Sequence, residues 1–367
     1  MDMPVLEKIV IADFRNIQLQ EIDFSPNINC ISGNNGEGKT NLLDAIYYMS
    51  MTKSAFASSD KFNFRHGTDE FSIAGTYRMP NGLSSRFSLK MNGKGEKKVK
   101  RDDKFYQKVS EHVGILPVVM VSPADVSMVS DSGDERRRFV NAVLSQMDRE
   151  YMSAMQQYNR LLLQRNKMLK DSFHDRSLLE VIDMRMSALA QPIYEARKRF
   201  VADLKPIVSE YYKALSGDSE QVDIEYESDL SKAPLDSILA VSYEKDCIMK
   251  HTTSGIHRDD FAFRMNGHPI RRYGSQGQQK SFLVSLKFAQ YEIMKRNYGF
   301  APILLLDDVF DKLDMGRISN LLQMVASNDF GQIFITDSNK VRMAGIVDRL
   351  TQDRAYFETA GGVFTKI

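Results

Sequence analysis

The chain has 367 residues and is near charge balance, with 49 basic and 48 acidic side chains and a net charge of +1. A hydrophobic fraction of 43% beside 26% charged residues excludes disorder as the dominant state, and any nucleic-acid partner must be met by local rather than global positive potential. No stretch approaches the roughly 18 apolar residues of a membrane span, the opening MDMPVLEKIV does not read as a signal peptide, and Cys30 and Cys247 without a CxxC read as reduced buried thiols, so the expectation is a cytoplasmic protein with no membrane partner.

In chain order, VLEKIVIADF alternates apolar and polar residues, and 22–31 does so again; both predict strands. A glycine-rich loop follows at Gly33–Thr40. Next, Leu42, Leu43, Ile46, Tyr47 and Met49 are spaced for a helix. Residues 71–105 predict an antiparallel meander, with PNG as one turn and Asn92-Gly93 as a type I′ hairpin. LPVVMVS, ended by Pro123, predicts a buried strand. From Asp131 the character changes. Ser132-Gly133-Asp134-Glu135 reads as a helix start with acids in the first turn, and amphipathic patterns run to about Leu215, broken only at Pro192 and Pro206. The methionines of this stretch read as adaptable packing, not a cofactor site. Strand character returns at VDIEYES, and FAFRMNGHPIRR predicts a hairpin about Asn266-Gly267. A helix follows Gly277. The end alternates PILLLDDVF, a helix over 315–327, QIFITDS, and a last helix and strand, the rhythm of a parallel sheet.

Three motifs carry chemistry. Gly33-Asn34-Asn35-Gly36-Glu37-Gly38-Lys39-Thr40 fits GxxxxGK[ST] between a strand and a helix pattern. Glycines let backbone N–H groups turn inward around phosphate, Lys39 reaches the β- and γ-phosphates, and the Thr40 hydroxyl suits Mg2+. Leu304-Leu305-Leu306-Asp307-Asp308 places two acids at the end of a buried strand. This is Walker B logic: Asp307 holds Mg2+, and Asp308 orients or deprotonates the attacking water. Together these make the expected cofactors ATP and Mg2+, with Lys39 and Asp308 as the catalytic pair. Tyr273-Gly-Ser275-Gln276-Gly277-Gln278, about thirty residues before Asp307, resembles the signature of ABC-type ATPases. There a serine and glycine at a helix N-terminus bind the γ-phosphate of ATP held by the other subunit, which implies dimerisation on ATP binding. Asp314 matches the D-loop position. Thr336 stands where many ABC proteins have a histidine, Ser122 and Asp125 stand in place of a Q-loop glutamine, and Asp308 is shorter than the usual glutamate; slow hydrolysis, with ATP as a switch, is expected.

The ordered set resembles the RecF family of SMC-like ATPases. It comprises Phe14-Arg15-Asn16, GNNGEGKTN, SPADV through RRRF, Arg165-Asn166, Gly255-Ile256-His257-Arg258-Asp259-Asp260, SQGQQK and LLLDDVFDKLD, and it covers nearly the whole chain. Ile256 replaces the family's proline. The resemblance implies an α/β fold, an ABC/SMC-like P-loop ATPase head with an antiparallel β subdomain and an inserted helical arm. Its parts are expected at 1–122 (head), 123–221 (arm) and 222–367 (head, with signature, Walker B and D-loop). It also implies a role for Arg15, Ser275, Gly277, Gln278 and Asp314 at the nucleotide, and an ATP-dependent homodimer on double-stranded DNA or a single-strand/double-strand junction. RecR and RecO are the implied partners, and RecA is loaded indirectly.

Basic clusters are the candidate DNA contacts: Lys97, Lys98, Lys100 and Arg101 after a hairpin, Arg136, Arg137 and Arg138 opening the arm, and Arg271 and Arg272 before the signature. Each cluster alone reads as a solvated face; in an SMC-like dimer it becomes a phosphate contact without base readout. His257 is read first as a hydrogen-bonded structural group and second as a ligand. Arg258 faces DNA or pairs with Asp259 or Asp260. A rival reading is an ABC/SMC-type ATPase coupled to a nuclease or other effector, which calls for an extra acidic metal cluster that the sequence lacks. A transporter ATPase is disfavoured by the long separation of P-loop and signature, and an SMC tether by the absence of heptads.

Overall fold

The computed structural model describes residues 3–131, 133–171, 175–217, 220–310, 315–326, 330–339 and 353–367. The chain divides into two compact units, 1–125 with 283–367, and 126–282.

The first unit holds two six-stranded sheets. One is antiparallel, in spatial order Ile17–Asp23, Val5–Phe14, Glu70–Arg78, Ser84–Asn92, Lys97–Arg101 and Lys104–Phe105. Its strands alternate buried and open positions, the expected signature of a half-covered sheet. The other runs Val363–Lys366, Arg354–Ala360, Ile28–Ser32, Ile333–Asp337, Ile303–Asp307 and Val118–Val121, parallel except for the first hairpin. INCIS, ILLLD, IFITD and VVMV are buried at every position, as parallel strands covered on both faces require. Register places Ser32 opposite Asp337 and Asp307 opposite Thr336, so the carboxyl ends of the central strands meet at one edge. The helix Lys39–Met51 packs against strands of both sheets, and its buried positions include Leu42, Leu43, Ile46 and even Asp44. Tyr48 of this helix forms an edge-to-face cluster with Phe14 and Phe71. The fully buried Gln332 joins the sheets: its Nε2 donates to the Leu6 and Ser25 carbonyls, each at 2.8 Å, and its Oε1 accepts from Leu6 N.

Helices Gly133–Met147, Arg149–Lys170, Arg176–Ser216 and Leu235–Met249 build the second unit around a three-stranded sheet of His268–Pro269, Asp260–Met265 and Val222–Glu227. Asp148 and Asp175 cap two of the helices through paired backbone amides. The helix Gln276–Tyr298 begins in this unit and ends in the first.

Several expectations change. The 22–31 segment is two strands, parted at 24–27 around Pro26. Neither Pro192 nor Pro206 breaks the 41-residue helix that contains them. Asn266 and Gly267 have φ of 48° and 78°, as a type I′ turn demands, and Met265 pairs with His268. Asn92-Gly93 does not form one. There the left-handed residue is Gly95, and the Asn92 side chain accepts from Lys94 N and Glu96 N. The expected boundary at 221/222 lies instead at 282/283. The reason is ionic as well as apolar: Arg197 of the long helix binds Asp259 at 2.6 Å, and Arg136 binds both oxygens of Asp260 at 2.8 Å, which holds 222–282 to the helices. Ser132, Ser327, Asp314 and the expected last helix lie outside the described residues. Among the described residues no helix is long and apolar enough to cross a membrane.

Candidate nucleotide site

The P-loop leaves the end of strand Ile28–Ser32 and enters the helix Lys39–Met51. Gly36 and Gly38 have φ of 86° and 108°, backbone that side chains rarely adopt. A Cβ on Gly38 would also lie 2.8 Å from the Asn16 amide. The Lys39 ammonium is folded onto its own loop, donating to the Gly33 carbonyl at 2.7 Å and the Asn34 carbonyl at 3.1 Å. Those are the bonds that phosphate oxygens would replace.

Across the sheet edge, the Thr40 hydroxyl donates to both Asp307 oxygens, at 3.0 and 2.9 Å. The Thr336 hydroxyl donates to Asp307 Oδ1 at 2.7 Å and accepts from Asp308 N at 3.0 Å. Burial pushes the Asp307 carboxyl up, with the neighbouring Asp308 in the same sense, against the Thr336 and Thr40 hydroxyls and Lys39. Because Thr40 and Thr336 give their protons to Asp307, the Thr40 lone pairs remain for a cation. One carboxylate and one hydroxyl beside a phosphate cradle fit Mg2+, which takes few protein ligands and completes its shell with phosphate and water. Asp308 holds a left-handed φ of 44°, strained for an aspartate, at the point where the strand ends.

Arg15 lies beside the same helix. It pairs with Asp44 at 2.6 Å and donates to Asn41 and Ser54 at 3.0 Å and to Asn63 at 3.3 Å. Burial pushes the Asp44 carboxyl up while Arg15 pulls it down. Asn16 donates to the Glu37 carbonyl and accepts from Asn41. The Glu37 carboxylate accepts from Gly361 N. Asn16, Asn41, Thr336 and this glutamate contact were not assigned roles from sequence. Asn16 and Asn41 carry a signal as members of Phe14-Arg15-Asn16 and GNNGEGKTN, and Thr336 carries one through its place at the end of the strand QIFIT.

In the second unit, Ser275 caps the helix Gln276–Tyr298. Its Oγ accepts from Gln278 N at 3.3 Å, and Gln278 Oε1 accepts from Ser275 N at 2.6 Å, a reciprocal capping box. Gln278 Nε2 is bound to Glu220, so its side chain has structural work. Ser275 itself is exposed at the start of a 23-residue helix, an anion-friendly terminus. Asp314 cannot be placed, being outside the described residues.

The basic clusters separate sharply. Lys97 is half-buried, bound to Asp60 at 2.8 Å and to the Thr52 carbonyl at 2.7 Å. Lys98 is exposed, Lys100 sits 4.5 Å over the Phe105 ring, and Arg101 lies over Phe87. Arg136 and Arg137, expected at DNA, are engaged internally: Arg136 on Asp260 and the Met128 carbonyl, Arg137 on the Asp259 carbonyl and Asp134. Arg138 is exposed and paired with Glu135, and Arg271 and Arg272 are exposed. Arg258 pairs with neither neighbouring aspartate; it is exposed and reaches the Thr252 carbonyl at 3.4 Å. His257 has the structural role: Nε2 faces the Thr252 carbonyl at 3.2 Å and must donate, so Nδ1 accepts from the Tyr158 hydroxyl at 3.0 Å.

Residues 5–355 match the RecF/RecN/SMC N-terminal domain family. The chain is 43% identical over 358 residues to the DNA replication and repair protein RecF of Parabacteroides distasonis, covering 98% of each. It superposes on the structure of the recombination mediator protein RecF-ATP in the RecFOR pathway with a TM-score of 0.90, at 27% identity, covering 100% of this chain and 98% of that one. The Smc head domain of Pyrococcus furiosus, with its coiled coil, shares the fold at a TM-score of 0.58 and 16% identity, covering 100% and 96%.

Proposed function

We propose, starting from the fact that this chain belongs to the RecF/RecN/SMC N-terminal domain family, that it is an ATP-switched DNA-binding protein of DNA replication and repair. One observation carries the reading: Lys39 rests on loop carbonyls while Thr40 and Asp307 are joined at the same sheet edge. That is a phosphate cradle with a hard-cation donor pair beside it. On ATP binding Lys39 moves from the Gly33 and Asn34 carbonyls to phosphate oxygens. Mg2+ held by Thr40 and Asp307 would neutralise charge between the β- and γ-phosphates. Asp308 orients the attacking water, and its short side chain together with Thr336 in the usual histidine place keeps turnover slow.

The nucleotide of one subunit is capped by Ser275 and Gly277 of a second copy. The exposed capping box supports this, since a serine already half-committed to N–H capping needs only to turn its hydroxyl toward phosphate. The ATP dimer takes double-stranded DNA or a gap junction, with Lys98 and Lys100 as the first candidate contacts. RecR and RecO are its partners, acting upstream of RecA. The test is sedimentation with and without ATP, with DNA binding followed in parallel. Wild type should become a dimer and bind DNA only with ATP; Ser275→Arg should stay monomeric. Dimerisation of Ser275→Arg on ATP would remove the split site, and turnover above about 10 s⁻¹ would remove the switch.

A further inference from the structure

We propose that the C-terminal β-hairpin is a positioning device for the phosphate cradle, acting through the Glu37 carbonyl and carboxylate. The proposal rests on the nucleotide reading above and assigns work to Thr359, Gly361 and Gly362, which no motif includes.

Strand Arg354–Ala360 lies beside the P-loop strand in parallel register, with Glu358 opposite Ser32, so its last residues overshoot beside the loop. Thr359 packs so closely that a Cβ on Gly33 would lie 2.6 Å from the Thr359 carbonyl oxygen. The chain then reverses at Gly361-Gly362, both left-handed, with Ala360 paired to Val363. That turn delivers three donors to Glu37. Gly361 N donates to the carboxylate, Gly362 N donates to the carbonyl at 2.9 Å, and Thr359 Oγ1 donates to the same carbonyl at 3.1 Å. From the other end of the chain, Asn16 Nδ2 adds a fourth at 3.2 Å. Gly362 has no spare room either, since a Cβ there would lie 2.4 Å from the Asn16 carbonyl oxygen.

The consequence follows from peptide geometry. In a trans peptide the C=O of one residue and the N–H of the next point in opposite directions. Pinning the Glu37 carbonyl toward the hairpin therefore aims the Gly38 N–H away from it. Gly38 is the residue before Lys39, and in a P-loop this amide belongs to the set that faces phosphate. Left-handed glycines at 36 and 38 leave this peptide free to rotate in isolation. The hairpin removes that freedom, so nucleotide binding does not have to supply the ordering. Glu37 thus serves as the handle by which the loop is held, and its carboxylate is no nucleotide or metal ligand.

The test is direct nucleotide binding, with steady-state turnover, on the full chain carrying Thr359→Val, Thr359→Ser and, as a control, Lys39→Ala. Thr359→Val deletes one donor without changing shape. ATP should bind about fivefold more weakly, the equivalent of one hydrogen bond, while turnover at saturating ATP stays within about twofold. Thr359→Ser restores the donor and should restore affinity, which a packing role would not predict. Melting curves on both variants check that the fold persists. Wild-type affinity in Thr359→Val, with Lys39→Ala impaired, overturns the hairpin proposal alone. Wild-type affinity in Lys39→Ala overturns the nucleotide reading beneath it.

Discussion

His257 and Arg165 illustrate how side chains that stand in family motifs serve the interior of the second unit. His257 lies between Tyr158 and Thr252, and burial, with Arg258 and Arg137 in the same sense, pushes its imidazole down to about 4 against the Thr252 carbonyl and Asp246. An unfolded chain takes up that proton near the ordinary 6.5, the folded one only near 4. Stability from the neutral ring is therefore full above 6.5 and lost as pH falls through that window, by on the order of 3 kcal/mol. Denaturant titrations between pH 7 and 4 should show a steeper loss in wild type than in His257→Asn; parallel curves would mean the ring is not held neutral. Arg165 is fully buried and bound at 2.6 Å to both Asp183 and Asp246 and at 2.9 Å to Thr252. Removing one acid leaves a buried charge under-compensated. Asp246→Ala should lower unfolding free energy by about 3–5 kcal/mol, read from denaturant midpoints, with the nucleotide site untouched.

Elements were legible in the sequence where one local rule decided them. The all-apolar runs PILLLD and QIFIT can only be covered strands, and Asn266-Gly267 closes a two-residue turn because both residues accept left-handed backbone. The same dipeptide at Asn92-Gly93 failed because the residues that follow, ending in Gly95, offered a longer loop in which the Asn92 side chain bonds two amides. Sequence could not reveal the hairpin on Glu37 or the Arg197–Asp259 pair that moves the unit boundary, since both join residues far apart in the chain. The signature helix combines both kinds of information: SQGQ reads as ligand-binding by resemblance, yet it is also a capping box. Substitutions separate the two. Ser275→Ala removes the cap and should cost about 1 kcal/mol. Ser275→Asp keeps a good cap but sets a negative charge at the helix start, so thermal stability should hold while ATP-induced dimerisation disappears. If Ser275→Asp still dimerises with ATP, the cap is the motif's whole role.

For the molecule as a whole, near-neutral net charge means that DNA must be met by few, well-placed cations, and the structure narrows them. Lys97, Arg136 and Arg137 hold acids and carbonyls of their own units, so reversing them breaks the fold rather than a DNA contact. Lys98 and Lys100 stand on the same side of strand Lys97–Arg101, opposite to Val99, with Lys100 braced on Phe105. Removing a single phosphate contact should lower the slope of log affinity against log salt by about 0.9. Lys98→Glu with Lys100→Glu should therefore flatten that slope by about 2 in the presence of ATP, with unchanged melting and unchanged ATP-driven dimerisation. Lys97→Glu should instead lower the melting temperature, because it places a carboxylate against Asp60. Should the double variant bind DNA with wild-type salt dependence, this strand is a solvated face and the DNA contacts fall to Arg138, Arg258, Arg271 and Arg272, where the same salt series would locate them.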